Sequence, residues 1–437
     1  MTEQNFSTAD FEKMLSEESK FNNFCFLNSN GFNKLDTLNL SRYNFLAGID
    51  SMDEISLTHD PYSNERETLT TLQNFLNIHK SKWKFGFISY DAKNEIEKLP
   101  SGNFDGLQFP CIHFFVPHYV LLSQNEEVKV INQKNSEAEN LQLSEIGLKL
   151  KQEQKKSVIL KSRFSNQEYL KAVSQLKKHI QRGDIYEITF AQEFFNNNAE
   201  IFPFDTYIKL NTQTPAPMSC FYKSKQNYLI SSSPERFLCK HGNKIYSQPI
   251  KGTIKRGNTK EEDEQLKNLL LNSEKERAEN VMIVDLVRND LSRIAKQGSV
   301  KVEELFGLYS FSKVHQLIST VSCELDETKN FTDIIRATFP MGSMTGAPKI
   351  SAMQLIEQFE KTKRGLFSGC VGYIAPDGDF DFNVVIRSIL YNAEKKYVSV
   401  QAGGAITSLS DAEEEFDESI LKAKAMVEVL SQVKVNG

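Results

Sequence analysis

Residues 165–195, SNQEYLKAVSQLKKHIQRGDIYEITFAQEFF, decide how the rest of the chain is read. Ser165 with Glu168 three positions on is a capping box, and Tyr169, Val173, Leu176 and Ile180 fall on one face of the helix it opens. Gly183 is a fitting stop, because glycine accepts the left-handed conformation that ends many helices. The run YEITFAQEFF then alternates apolar and polar side chains with the period of a strand. A helix therefore feeds a strand, but the unit does not repeat. Downstream, the strand-like segments NYLISSSP (227–234), GCVGYIA (369–375), FNVVIRSILYN (382–392) and KYVSVQAGG (396–404) are interleaved with two further helical runs. These cover 262–295, with a break expected near Asn272, and 412–433. Without a regular strand-helix-strand period the chain reads as α+β, built on antiparallel sheets.

Upstream, 11–130 carries short aromatic-rich runs between Gly, Pro and Asn breaks, among them FCFLNSNGF, WKFGFISYD and FPCIHFFVPHYVLLS, which read as strands. Residues 132–157 are polar, charged and free of aromatics. The expected organisation is a strand-rich region over 1–135, a linker over 136–163 and a larger unit over 164–437.

Composition narrows the possible roles. The 437 residues are 40% hydrophobic and 25% charged, which excludes fibrous and disordered classes. Lys and Arg total 52 against 57 Asp and Glu, for a net charge of -5, without the basic excess that nucleic acid demands. No run of about 18 apolar residues predicts a membrane span. The six cysteines follow no CxxC or zinc spacing and read as buried thiols. The amino terminus lacks a basic start and an apolar signal core, so a cytoplasmic location is expected.

Several residues have chemistry available to them and a plain structural reading beside it. Glu276 and Glu279, and again Glu415 and Glu418, stand three apart on helices and share a face, a spacing suited to a hard divalent cation and equally to a solvated surface. Lys422 follows one turn later. Glu235, after Pro234 and before an apolar run, is placed for a raised pKa and general-acid work, or for a surface pair with Arg236. Lys251 lies between a strand end and Gly252; confined there, it would lose part of its charge and become a nucleophile, or else it is a turn lysine. Arg387 sits in an apolar strand and, if buried, needs a carboxylate partner. FPMGSMTGAPKISAMQLI joins a glycine-rich loop to a helix start that can meet an anion. QAGGAITS supplies adjacent glycines, and His315 reads as a half-buried histidine. No zinc-protease motif, dinucleotide fingerprint or Walker loop is present.

Together, and in this order, SSSPERF, PIKGT, ERAENVMIVDLVRNDLSRIA, VHQLISTV, FPMGSMTGAPK, RGLFSGCVGYI, NVVIRS and EEEFDESILKAKA closely resemble the chorismate-utilising enzymes. The likeness spans about 165–430, and FGFISYD resembles the front region of the anthranilate and aminodeoxychorismate synthase large subunits. It implies a large α/β sandwich of two antiparallel sheets flanked by helices, with the active site between them. It implies Mg²⁺ held by Glu279 and Glu418, with Glu276 and Glu415 in support, gripping the ring carboxylate of chorismate. Glu235 matches the general acid at the C4 hydroxyl. Arg387 and the loop with Gly403 and Gly404 match positions for the pyruvyl carboxylate. Thr253, Gly252, Lys422 and His315 match substrate-contacting positions. Anthranilate synthases resemble PIAGT where this chain has PIKGT, as aminodeoxychorismate synthases do, so Lys251 matches a covalent nucleophile and the implied product is 4-amino-4-deoxychorismate. Ammonia would come from a separate glutamine amidotransferase subunit. The chain departs from the family pattern at Glu187, where aminating relatives resemble YQ and hydrating ones carry a water-activating lysine, and at Ala405, where glycine is usual.

Overall fold

The computed structural model describes residues 20–32, 38, 40–58, 67–97, 99, 101–124, 127–134, 157–311 and 313–431. Helix Asn166–Arg182 begins at Ser165 with both halves of the capping box formed and stops at Gly183, whose φ is 84°. The second helical run breaks where expected: Lys260–Leu271 ends at Asn272, and Ser273 caps Glu274–Ser292. The last helix is Ala412–Ser431.

The strands form two sheets whose pairings are all antiparallel. In the first, of eleven strands, Glu187–Asn196 lies between Gly346–Ala347 and Tyr397–Ile406, and the order runs on through Ser388–Asn392, Asn227–Ser233 and Met218–Ser224 to Asn23–Asn28 and its neighbours. In the second, of ten, Ile250–Lys255 pairs with Val314–Glu324, and the order continues through Lys244–Gln248, Arg236–His241, Phe380–Asn383 and Cys370–Ile374 to Lys84–Ile88. Strands from 1–135 thus hydrogen-bond into both sheets beside strands from 164–437. Of the expected linker, residues 136–156 lie outside the described residues, while Lys161–Ser162 pairs with Glu187–Asn196.

The main core fills the space between the sheets. Phe87 meets Tyr222 edge to face at 5.2 Å, one contact in a layer that also holds Phe85, Phe114 and Phe115. Each such side chain contributes about 1.5–3 kcal/mol on burial. The outer face of the first sheet is covered by helices Pro203–Gln213 and Ala412–Ser431. Helix Glu274–Ser292 lies on the second. This is the helix-flanked α+β sandwich that the sequence predicts. All six cysteines are free and buried, and among the described residues no helix is long and apolar enough to cross a membrane.

Two links cross from one sheet to the other side by side. Pro234 and Glu235 connect Asn227–Ser233 in the first sheet to Arg236–His241 in the second; residues 384–387 return from Phe380–Asn383 to Ser388–Asn392. The links hold each other: Val384 N–H donates to the Glu235 carbonyl at 2.9 Å, and Ser233 Oγ donates to the Val384 carbonyl at 2.6 Å. Ser231 Oγ donates to the Ile386 carbonyl at 3.0 Å. The serines of SSSPERF thus satisfy backbone groups where the ladders end. Arg387 is corrected by this: it lies not within a strand but in the crossing, with φ at 51°.

Loss of the capping box has a measurable cost. Ser165→Ala should destabilise the protein by about 1 kcal/mol, seen as a lower urea midpoint with an unchanged slope.

Candidate active site

A cavity of about 380 Å³ opens between the sheets beside the two crossings. Its floor on one side is Thr189 and the run 401–405, including Gly403 and Gly404; on the other it is Ile250, Lys251, Gly252 and Thr253. The crossings supply Glu235 and Arg387, and two helices supply Glu276 with Glu279 and Glu415 with Glu418 and Lys422. Every candidate residue singled out in the sequence lines this cavity except His315.

Glu235 is buried, and its carboxylate accepts from Ser343 Oγ at 2.7 Å. Burial pushes its pKa up to about 7, although Ser343, Lys251 and the Ile250 amide all pull it down. Arg236 is no partner for it: the guanidinium turns away to Asp381, Ser41 and Gln248. FPMGSMTGAPK reaches the cavity through Ser343 and Met344 rather than through its helix start.

Lys251 is re-aimed by an irregularity in its strand, where the register shifts between Ile250 and Thr253 and Gly252 takes a φ of 91°. Its Nζ lies 2.5 Å from Glu187 Oε1 and 3.8 Å from Glu279 Oε2. Burial lowers its pKa, but Glu187, Glu279 and Glu235 outweigh burial and hold it above the usual lysine value. The expectation of a lysine that sheds charge through confinement is therefore corrected: at rest it is an ammonium in a nest of carboxylates.

The acidic pairs face one another. Glu415 is held by Ser410 Oγ at 2.8 Å, and its other oxygen lies where a side chain at residue 404 would start, 2.5 Å from that point. A side chain at residue 404 would have to displace that carboxylate. Glu418 pairs with Lys422 at 2.5 Å, and Lys422 Nζ also donates to the Gly403 carbonyl at 2.9 Å. Burial pushes Glu279 up to about 7 against the pull of Lys251. Among the described residues, no three His, Cys, Asp or Glu side chains are gathered tightly enough to hold an ion. Buried Glu279 Oε1 and Glu415 Oε2 nonetheless have no hydrogen-bond partner among the described residues. Orphaned carboxylate oxygens on two facing helices fit a hard cation that keeps waters and takes further oxygens from a ligand.

Arg387 NH1 donates to the Lys422 carbonyl at 3.0 Å, and burial lowers its pKa. With Lys422 and Lys275 it gives the cavity cationic groups suited to carboxylates. Ala405 also lines the wall, so its methyl is accommodated in the fold.

His315 is fully buried on the far face of its strand, between Asp263 Oδ1 at 2.9 Å and Ser310 Oγ at 2.8 Å. Its neighbour Gln316 takes the cavity side instead, donating from Nε2 to Thr253 Oγ1 at 3.3 Å. Sequence reading passed over Gln316, although strand alternation carries the signal. His315 shares a face with Leu317 and Val321, both core residues, and Gln316 does not.

The sequence pattern of the chorismate binding enzymes matches residues 28–428. Aminodeoxychorismate synthase component 1 of Bacillus subtilis (strain 168) is 34% identical over 360 residues, covering 79% of this chain and 76% of that one. Anthranilate synthase component 1 of Aquifex aeolicus (strain VF5) is 33% identical over 402 residues, covering 85% and 80%. The crystal structure of anthranilate synthase component I from Streptococcus pneumoniae TIGR4 superposes with a TM-score of 0.74 at 28% identity, over 87% of this chain and 91% of that one. A two-sheet sandwich with an acid-lined cavity at its sheet crossings, and a family pattern that runs almost from end to end, lead to one conclusion: the chain belongs to the chorismate binding enzymes.

Proposed function

We propose that this chain is the chorismate-aminating component of an aminodeoxychorismate synthase, making 4-amino-4-deoxychorismate, the precursor of p-aminobenzoate and folate, from chorismate and ammonia. The observation that carries the reading is Lys251, an amine set in the wall of the cavity that also holds the buried acid Glu235. Glu235 donates its proton to the C4 hydroxyl, which leaves as water while the Lys251 nitrogen bonds to C2. Ammonia then bonds to C4, the C2–nitrogen bond breaks, and the lysine is regenerated. An acid with a pKa near neutrality is well matched to that donation. Occupying C2 directs the incoming nitrogen to C4. The resting ammonium of Lys251 has to lose a proton before it adds.

Arg387, Lys422 and the amides of 403–405 are the groups available for the substrate's carboxylates. Glu279 and Glu418 would hold Mg²⁺, with Glu276 and Glu415 in support. The ion supplies a positive centre for the ring carboxylate that the acidic wall cannot offer. The name component 1 carried by the relatives supports a second subunit, which in this reading is a glutamine amidotransferase. Buried thiols are consistent with a reducing, cytoplasmic setting. The second reading, an anthranilate synthase component, draws on the Aquifex relative, which is similar over more of the chain. It differs in product: incubation with chorismate, Mg²⁺ and ammonium should give a compound that keeps its pyruvyl group by mass spectrometry, and anthranilate would decide for the alternative.

Three outcomes follow from the assignment. Lys251→Ala should lower 4-amino-4-deoxychorismate formation at saturating ammonium by about 100-fold or more, within the range of a positioned catalytic group; an unchanged rate removes the nucleophile. Glu235 must be protonated to act, so the parent rate should fall as pH rises through about 7, and Glu235→Gln should lose both the rate and that alkaline limb. Glu418→Ala should raise the Mg²⁺ needed for half-maximal rate by about tenfold or more, and superimposable titrations would take Glu418 out of the site.

A further inference from the structure

We propose that Glu187 is the positioning residue for Lys251, an inference that rests on the reading of Lys251 as nucleophile. Glu187 opens strand Glu187–Asn196 in the first sheet, whereas Lys251 belongs to the second, so their contact spans the gap between the sheets. The Glu187 side chain is 1% exposed. Its Oε1 meets Lys251 Nζ at 2.5 Å, and its Oε2 has no partner among the described residues. A buried carboxylate with a single cation beside it holds that cation firmly, because separating them strands both charges away from water.

The backbone gives Glu187 no room to retreat. Tyr186 N–H donates to the Ala347 carbonyl at 2.7 Å, and Thr189 N–H donates to the Thr345 carbonyl at 2.8 Å, clamping the strand start on both sides of Glu187. Gly346 packs so closely that a side chain there would begin 2.1 Å from the Glu187 carbonyl oxygen. On the other strand the register shift at Gly252 turns Lys251 towards this fixed anchor. A clamped, regular strand and an irregular one thus meet at one ion pair. Lys251 has a second carboxylate nearby in Glu279, but Glu279 stands 3.8 Å away and faces the other acidic helix pair. Glu187 does not line the cavity and acts through Lys251 alone. It determines where the amine stands relative to C2 of a bound ring.

The test compares Glu187→Ala and Glu187→Gln with the parent, reading kcat, the KM for chorismate and the ratio of nitrogen delivered to C4 against C2. A displaced amine costs rate without costing binding, and a misplacement of about 1 Å can cost about 100-fold. Glu187→Ala should therefore lose about that much in kcat while KM stays within about threefold, and its residual product should contain more C2-aminated compound. Glu187→Gln, which keeps an oxygen to accept from the amine, should recover much of kcat and the parent product ratio. A merely structural role would lower the formation of both products together and leave their ratio alone. If Lys251→Ala abolishes activity while both Glu187 variants keep the parent kcat and ratio, the positioning role is overturned and the nucleophile stands. If Lys251→Ala is as active as the parent, the reading beneath it fails instead.

Discussion

The ion pair between Lys251 and Glu187 joins the two sheets at the cavity edge, far along them from the other polar contacts between the sheets, such as His113 with Tyr222 and Asn383 with the Met218 carbonyl. Its strength comes from its surroundings. An exposed pair of this kind contributes 1 kcal/mol or less, whereas a buried one is costly to break because each partner leaves an uncompensated charge behind. The pair therefore fixes the separation of the strand ends at this edge of the sandwich. The contact stands at the cavity wall, where Lys251 is one of the lining residues.

The crossings make the cavity possible. A strand that stays in its sheet points every second side chain into the core, where a charged group needs a buried partner, as Glu187 and Lys251 have in each other. Glu235 and Arg387 escape that rule because each sits where the chain leaves one sheet for the other, and the serines preceding Glu235 take over the hydrogen bonds that the ladder no longer makes. Gly404 does the complementary job on the floor, where its missing side chain lets the Glu415 carboxylate lie against the strand. Acid, cations and the two carboxylate pairs are thereby gathered from strands, links and helices that are distant in sequence.

What could be read from the sequence was what depends on neighbours along the chain. The Ser165 box, the Gly183 stop and the break between Asn272 and Ser273 are local signals, and the structure repeats them. Three things were not local. Arg387 reads as a strand residue because apolar side chains surround it, and only the change of sheet shows that the ladder is interrupted there. His315 and Gln316 are one residue apart on a strand with polar side chains on both faces; alternation separates the two, but the partner that satisfies His315 in the core, Asp263, is fifty-two positions away. The charge of Lys251 depends on a carboxylate sixty-four positions upstream and another on a separate helix. Confinement alone lowers the pKa of the amine, and Coulomb attraction from the carboxylates beside it, Glu187 first, reverses that direction.

The same charges explain how an acidic wall can accept an anion. The cavity is lined by five carboxylates, Glu235, Glu276, Glu279, Glu415 and Glu418, against four cations, Lys251, Lys275, Arg387 and Lys422. Lys251 is already matched by Glu187 behind the wall, so the lining has no surplus of cations with which to meet a dianionic substrate. A divalent cation on the faces of the two acidic helices would offset part of that charge, and the partnerless oxygens Glu279 Oε1 and Glu415 Oε2 lie on those helices. Substrate and ion are then linked: each lowers the cost of bringing the other into a medium of low dielectric. Burial raises the pKa of Glu235 to about 7, which works in the same direction, because an ionised Glu235 would add a negative charge just where such a substrate brings two. In the proposed reading, the proton given to the departing hydroxyl is thus also one that eases the entry of the anion.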